Sequence, residues 1–412
     1  MKDLEAAKRE FARFLIKRGI ALGEGQRLHI NNAFVEVYDF VRILTEEAFA
    51  AGASYVDVTW VDDHIKRQNL MNASEEALYE YRGFSEETLT GMSERRDGEI
   101  YLFSGPPGIF SDCDPAKISG VAKPGRVLRS KTGYLENVSQ CTTAVPSPSW
   151  AARVFPDLPR DEAVQALWEA VLYTVRVNGD GRSEERWDSI LKEKQRLLDV
   201  LNRYQFDRLI YRNSIGTDLS VGLPDDHIWE YSAFGSVNTY NGAPYIRNVP
   251  TEEIFTSPHR LRVNGVIYSS IPLYYAGNTI EGIRLELENG RIVKAGAATN
   301  EELLRRMIDS DENSRYFGEV ALTPYDSPIN TCGVSFMNGL FDENASCHFA
   351  FGQSFDSVKG AEDMSREEKL AAGLNQSIMH RDFMVGTRDL SIVGITKDGR
   401  EIPVFVDGVF AV

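Results

Sequence analysis

LHINNAFVEVYDFVRILTEEAFAAGASYVDVTW (28–60) is the stretch that decides the fold. LHINNA (28–33) reads as a short apolar strand, VYDFVRILTEEAFAAG (37–52) as a helix and SYVDVTW (54–60) as a second strand. That order favours a parallel sheet covered by helices. Upstream, MKDLEAAKREFARFL is a charged amphipathic helix with Leu4, Phe11, Phe14 and Leu15 on one side, stopping near Gly19. It lacks the uninterrupted apolar core of a signal peptide. Downstream, GEIYLFSG (98–105) is a further strand, and 105–160, rich in Gly, Pro and Ser, reads as long loops. Helices return at 161–177 and 184–204. The second carries Trp187, Ile190, Leu191, Leu197, Leu198 and Leu201 at helical spacing, which marks a packing face.

The turn-rich NGDGRSEE (178–185) separates two halves of different pattern. Beyond it, FDRLIYRN, TDLSVGL, RLRVNGVIYSS, IRLELENGRIVKAG and LSIVGITKDGREIPVFVDG are β-like runs joined by Asn-Gly and Asp-Gly turns, the pattern of hairpins. T-N-E-E predicts a helix starting at Thr299, with Glu302 at capping-box spacing. S-R-E-E predicts another at Ser365, with Glu368 in the box and Gly373 at the end. At 412 residues the chain exceeds one ordinary core. The expected fold is an α/β N-terminal domain, residues 1–183, plus an α+β C-terminal domain rich in antiparallel strands, residues 184–412.

Composition narrows the function. With 42% hydrophobic and 26% charged residues the chain is globular. Its net charge of −16 and lack of any dense Lys/Arg run argue against a nucleic-acid partner, which needs cations to replace phosphate counterions. The same balance disfavours an anionic membrane surface, and no apolar run reaches the roughly 18–20 residues of a span. Cys113, Cys141, Cys332 and Cys347 show no C-x-x-C spacing and read as reduced, mostly buried thiols, so a cytoplasmic location is expected. G-E-G-Q (23–26) and S-G-P-P-G (104–108) are incomplete as phosphate loops, and neither G-x-S-x-G nor H-E-x-x-H occurs.

The chemistry concentrates in the C-terminal half. His380 and Asp382, at i and i+2 on a strand, project to one side, where they suit one metal ion or two adjacent ions; a hydrogen-bonded pair at a sheet edge is the plainer alternative. DENASCHFAFG (342–352) clusters Asp342, Glu343 and His348 where a loop meets a strand, with Cys347 pointing away. A solvated loop beside a core histidine would also fit. Glu252 and Glu253 lie beside apolar residues between two prolines, and Glu319 stands just before a strand; each alone reads as surface rather than ligand. Together, three or four carboxylates and two imidazoles are the donor mixture of dinuclear hydrolase sites.

T-E-E-x-F-T, G-E-x-A-L, D-S-P-I, D-E-N-A-S-C-H, G-L-N-x-S-x-x-H-x-D-F-M-x-G and G-I-T-x-D-G occur in that order. With GQRLHI…AGASYVDV, S-P-S-W-A and FPD further upstream, this series resembles the thermophilic aminopeptidase family of metallopeptidases along most of the chain. The resemblance implies a two-domain, homodimeric aminopeptidase acting on short peptides with a free N-terminus. It implies two divalent metal ions (zinc, cobalt, manganese or magnesium) that activate water. The metal ligands then fall on Glu253, Glu319, His348, His380 and Asp382, with Glu319 bridging. Glu343 ranks below them as a ligand or proton acceptor, and a free oxygen of Glu253 is the other candidate proton shuttle. One position departs from the family: seven residues after His348, members carry Tyr where this chain has Phe355. A lost hydroxyl there opens the alternative of a catalytically impaired member that binds metal and peptide. A metal-free hydrolase using two carboxylates leaves the two histidines without a role.

Overall fold

The computed structural model describes residues 3–80, 83–275 and 277–412. Met1 and Lys2, part of the stretch read as the first helix, lie outside the described residues. The chain divides into two compact units. One comprises Met1–Ser189 and Ser232–Thr251, the other Ile190–Tyr231 and Glu252–Val412.

The first unit is built on a parallel sheet. β1 (Arg27–Phe34), β2 (Tyr55–Val61), β3 (Gly98–Leu102) and β4 (Ser139–Thr143) lie in the order β2-β1-β3-β4, and the short strand Asn248–Val249 extends it. Between β1 and β2 runs α1 (Tyr38–Ala50), which buries Phe40, Val41, Ile43, Leu44 and Ala48 at helical spacing. Leu28, Ile30, Ile100 and Cys141 are buried on alternate strand positions.

Residues 105–160 are not the long loops that their Gly, Pro and Ser content predicts. They hold α2 (Pro115–Lys131), a turn of helix at Tyr134–Asn137, β4, and α3 (Pro148–Val154). Tertiary packing overrides local propensity here. Ile118 and Val121 pack against Leu70, Leu78 and Cys113, while Leu128 packs with Leu89, Met92 and Tyr134. β4 is the polar run SQCTT, which hides a strand whose Ser139, Cys141 and Thr143 are buried.

The second unit is rich in antiparallel strands, as expected. An eight-stranded sheet runs Arg291–Gly296, Arg284–Glu288, Val263–Tyr268, Asp218–Gly222, Arg208–Arg212, Ser391–Ile395, Glu401–Val406, Val409–Phe410. A four-stranded sheet holds β5 (Ile254–Thr256), β6 (Phe317–Leu322), β7 (His348–Gly352) and β8 (His380–Met384) in the order β8-β7-β6-β5. One face of this smaller sheet is aromatic. Phe317, Phe349, Phe351 and Phe383 stack at centroid distances of 4.5–6.3 Å, and Tyr211 from the larger sheet meets Phe349 at 5.3 Å. That face is the core.

Ser365 and Glu368 form the predicted capping box. The other predicted helix starts later than Thr299, at Glu301, with Asn300 as its left-handed cap and no capping box. The Thr299 hydroxyl accepts from the Glu281 N–H at 3.0 Å instead, so a tertiary bond takes the group that the local motif would use.

Candidate metal centre

The opposite face of the four-stranded sheet gathers the candidate residues. Strand register explains how. Glu319, Ala350 and Asp382 share one rung across β6, β7 and β8. One step along, Ala321, His348 and Met384 pair; one step the other way, Gly352 pairs with His380. The small residues at 321, 350 and 352 leave room for the carboxylates and imidazoles beside them. Glu253 immediately precedes β5, whose Phe255 pairs with Ala321.

Glu319 reaches this face because β6 is bulged. Phe317 pairs with Phe351 and Glu319 with Ala350, so Gly318 is an extra residue. In a regular strand, 317 and 319 would point the same way. The bulge sends Phe317 into the aromatic core and Glu319 to the polar face. A Cβ at 318 would lie 2.1 Å from the Gln353 carbonyl oxygen, so only glycine fits. That carbonyl also holds His380 Nδ1 at 2.8 Å. Gly318→Ala is therefore expected to lower stability by about 1–3 kcal/mol, as overpacking does, and to weaken metal binding as well. A denaturant melt and a metal titration of the variant check both effects.

Two donor groups form. Ligand atoms of Glu253, Glu319 and His348 all lie within 4.8 Å of one another, and so do those of Glu319, His380 and Asp382. His348 Nε2 is 3.0 Å from Glu253 Oε2, and His380 Nε2 is 3.1 Å from Glu319 Oε2 and 3.3 Å from Asp382 Oδ1. Glu319 is 3% exposed and His348 1%. Both imidazoles donate Nδ1–H to a backbone carbonyl, His348 to Ser346 at 3.2 Å and His380 to Gln353 at 2.8 Å. This leaves each Nε2 turned to the carboxylates, the tautomer that a metal ligand needs.

The electrostatics of the cluster suit a cation. Burial pushes the Glu319 carboxyl up to about 7. Burial opposes charge on His348 and His380 too, but their carboxylate partners outweigh it and hold the imidazoles up at about 10 and about 11. Burial would likewise raise Asp382, yet contact with His380 keeps it far below the usual carboxylate range. Glu343 is pushed well up by burial, then by the Glu253 and Asp382 carboxylates. Asp382 Oδ1 is buried and faces His380 Nε2 at 3.3 Å. Without a cation, protons must hold these like charges together. The donor set therefore fits divalent metal: oxygen and imidazole ligands, two to a side, with Glu319 common to both.

A profile of the thermophilic metalloprotease (M29) family matches residues 5–410. The chain belongs to that family. Aminopeptidase AmpS of Bacillus subtilis is 38% identical over 408 residues, covering 97% of each chain. Aminopeptidase T of Thermus thermophilus is 35% identical over 414 residues, covering 98% of this chain and 99% of its own. A solved structure described as wild-type AmpT from Thermus thermophilus superposes with a TM-score of 0.87 at 32% identity, covering 100% of both chains. The family member described here is a metallo-aminopeptidase, a hydrolase of peptide bonds, and its fold joins a parallel α/β sheet to antiparallel sheets.

The remaining residues singled out in the sequence fall into place around this face. Phe355 sets its ring edge-on to His380 at 5.1 Å and against Phe255 at 4.8 Å, with 40% exposure. Glu343 caps the short helix Gly339–Asp342, and its Oε1 accepts from Asn344 Nδ2 at 3.3 Å. Asp342 and Glu252 belong to neither donor group. His227 is a core histidine, with Nδ1 bonded to the Pro224 carbonyl at 3.0 Å. Among the described residues no helix is long and apolar enough to cross a membrane, and Cys113, Cys141, Cys332 and Cys347 are free. Sequence reasoning missed Gly318, Gln353 and Asn344. Asn344 lies inside the quoted D-E-N-A-S-C-H, where its position between two candidate residues was a usable signal.

Proposed function

We propose that the protein removes N-terminal residues from short peptides, using two divalent ions held by Glu253 and His348 on one side and by His380 and Asp382 on the other. The observation that supports this reading is the presence of Glu319 in both donor groups, where it would serve as the bridging carboxylate. When bound, such ions supply Lewis acidity toward the scissile carbonyl and bring the pKa of water toward neutrality. The chain's own residues do the rest. Glu343 takes the proton of the attacking water and delivers it to the leaving amine. Its Oε1 is engaged by Asn344, so Oε2 is the atom left to carry the proton. The free N-terminal amine of the substrate is drawn by the excess of carboxylates, which explains selection for unblocked termini. Phe255 and Phe355 form an apolar wall beside His380.

Catalysis is assigned to the unit formed by Ile190–Tyr231 and Glu252–Val412, in place of the continuous 184–412 expected from the sequence, because Ser232–Thr251 belongs with the α/β unit. The free cysteines suit a reducing compartment, and the reading places the enzyme in the cytoplasm as a homodimer.

Dialysis against a strong chelator should abolish hydrolysis of leucine amide, and cobalt, zinc or manganese should restore it. N-acetylated substrate should not be cleaved in either state. Full turnover by chelated protein with no metal detected would overturn the site.

A further inference from the structure

Glu319, His348, His380 and Asp382 sit within β-strands, where ladder hydrogen bonds fix their direction. Glu253 does not. It precedes β5, one residue after the chain re-enters this unit at Glu252. Some other device must aim it.

Two buried side chains grip the residue before it. Asn344, 0% exposed, accepts the Glu252 N–H at 2.6 Å through Oδ1. Its Nδ2 donates to the Leu340 carbonyl at 3.0 Å and to Glu343 Oε1 at 3.3 Å. On the other side, Lys194 Nζ donates to the Glu252 carbonyl oxygen. Lys194 belongs to the helix Ser183–Tyr204 and is 5% exposed, with its ammonium over the rings of Tyr231 at 5.6 Å and Phe410 at 5.9 Å. It falls on the apolar stripe of that helix, three residues after Leu191 and three before Leu197. A methionine there would continue the stripe without the desolvation cost of a buried ammonium. The ammonium holds the Glu252 carbonyl, which a methionine would not.

We propose that Lys194 and Asn344 clamp both backbone polar groups of Glu252 and so position Glu253 against His348 for metal binding. They are positioning residues: neither belongs to a donor group. Through Glu343 Oε1, Asn344 also ties the proton carrier to the same clamp. The inference rests on the two-ion reading above. It predicts an asymmetric defect. Loosening the clamp weakens the centre formed by Glu253, Glu319 and His348 and spares the one formed by Glu319, His380 and Asp382.

The test is a cobalt titration of chelator-stripped full-length protein, read by calorimetry and by cobalt absorption, for wild type, Lys194→Met, Asn344→Ala and Asn344→Asp. Lys194→Met and Asn344→Ala should each weaken one of two binding events by roughly 10–100-fold, the usual reach of residues that orient ligands. The other event should stay within about threefold. Asn344→Asp keeps an acceptor for the Glu252 N–H and should retain more affinity than Asn344→Ala, which also decides the matter should Lys194→Met fail to fold. Unchanged binding, equal weakening of both events in step with a lowered melting temperature, or the reverse order of the two Asn344 variants each overturns the clamp. A wild type that takes one cobalt ion overturns the two-ion reading; the clamp is then judged on that ion, a tenfold loss supporting it and unchanged affinity rejecting it.

Discussion

Glu319→Gln is expected to abolish turnover, by roughly 10³-fold or more in kcat/KM, equivalent to about 4 kcal/mol of transition-state stabilisation. Glutamine keeps the shape and loses the charge that both donor groups share. Each of the other four donors serves one group, so replacing any other single donor should not weaken both. The fold should survive. Burial already disfavours ionised Glu319, and a neutral amide has no charge to desolvate. Circular dichroism of the stripped variant should therefore match wild type, with a melting temperature no lower, while metal analysis shows both sites weakened. Near-normal turnover with full metal content would mean that Glu319 bridges nothing.

The second large effect runs the other way. Phe355→Tyr should raise turnover by up to roughly 10²–10³-fold if the hydroxyl donates to the developing oxyanion. The ring lies beside His380 at 5.1 Å and is 40% exposed. Its exposure means that an added hydroxyl meets water or substrate rather than a sealed apolar wall. The melting temperature should stay unchanged. The gain should appear in kcat with KM nearly constant, because a donor that meets charge only in the transition state leaves ground-state binding alone. A change in metal affinity without a change in kcat would instead make the hydroxyl a ligand. Unchanged kcat and unchanged affinity together would reject a role for that position and remove the case for an impaired enzyme.

The parts of this protein legible in the sequence are those set by short-range periodicity. The parallel start of the fold follows from 28–60, and the antiparallel second half from its runs of alternating residues and Asn-Gly turns. His380 and Asp382 share a face because they are two apart on a strand, and that is local geometry. Where the sequence misled, a distant contact overrode a local preference. The helix Pro115–Lys131 forms despite Gly120, Pro124 and Gly125, because Leu70, Leu78, Leu89 and Met92 receive its apolar side chains.

The site itself needed tertiary structure. Glu253, Glu319, His348 and His380 come from segments up to about 130 residues apart, and only the register of β5, β6, β7 and β8 brings their side chains to one face. Period-two reading places Glu319 with Phe317; the bulge at Gly318 separates them, and nothing local to F-G-E announces it. Lys194 stood in plain view as a charge on an apolar helical stripe, but what it holds, the carbonyl of Glu252, is 58 residues away. Residue types and spacing thus determined which donors this protein possesses. Pairing register, a bulge and two buried hydrogen-bonding side chains decided how they meet, because those interactions form between segments whose separation no local pattern records.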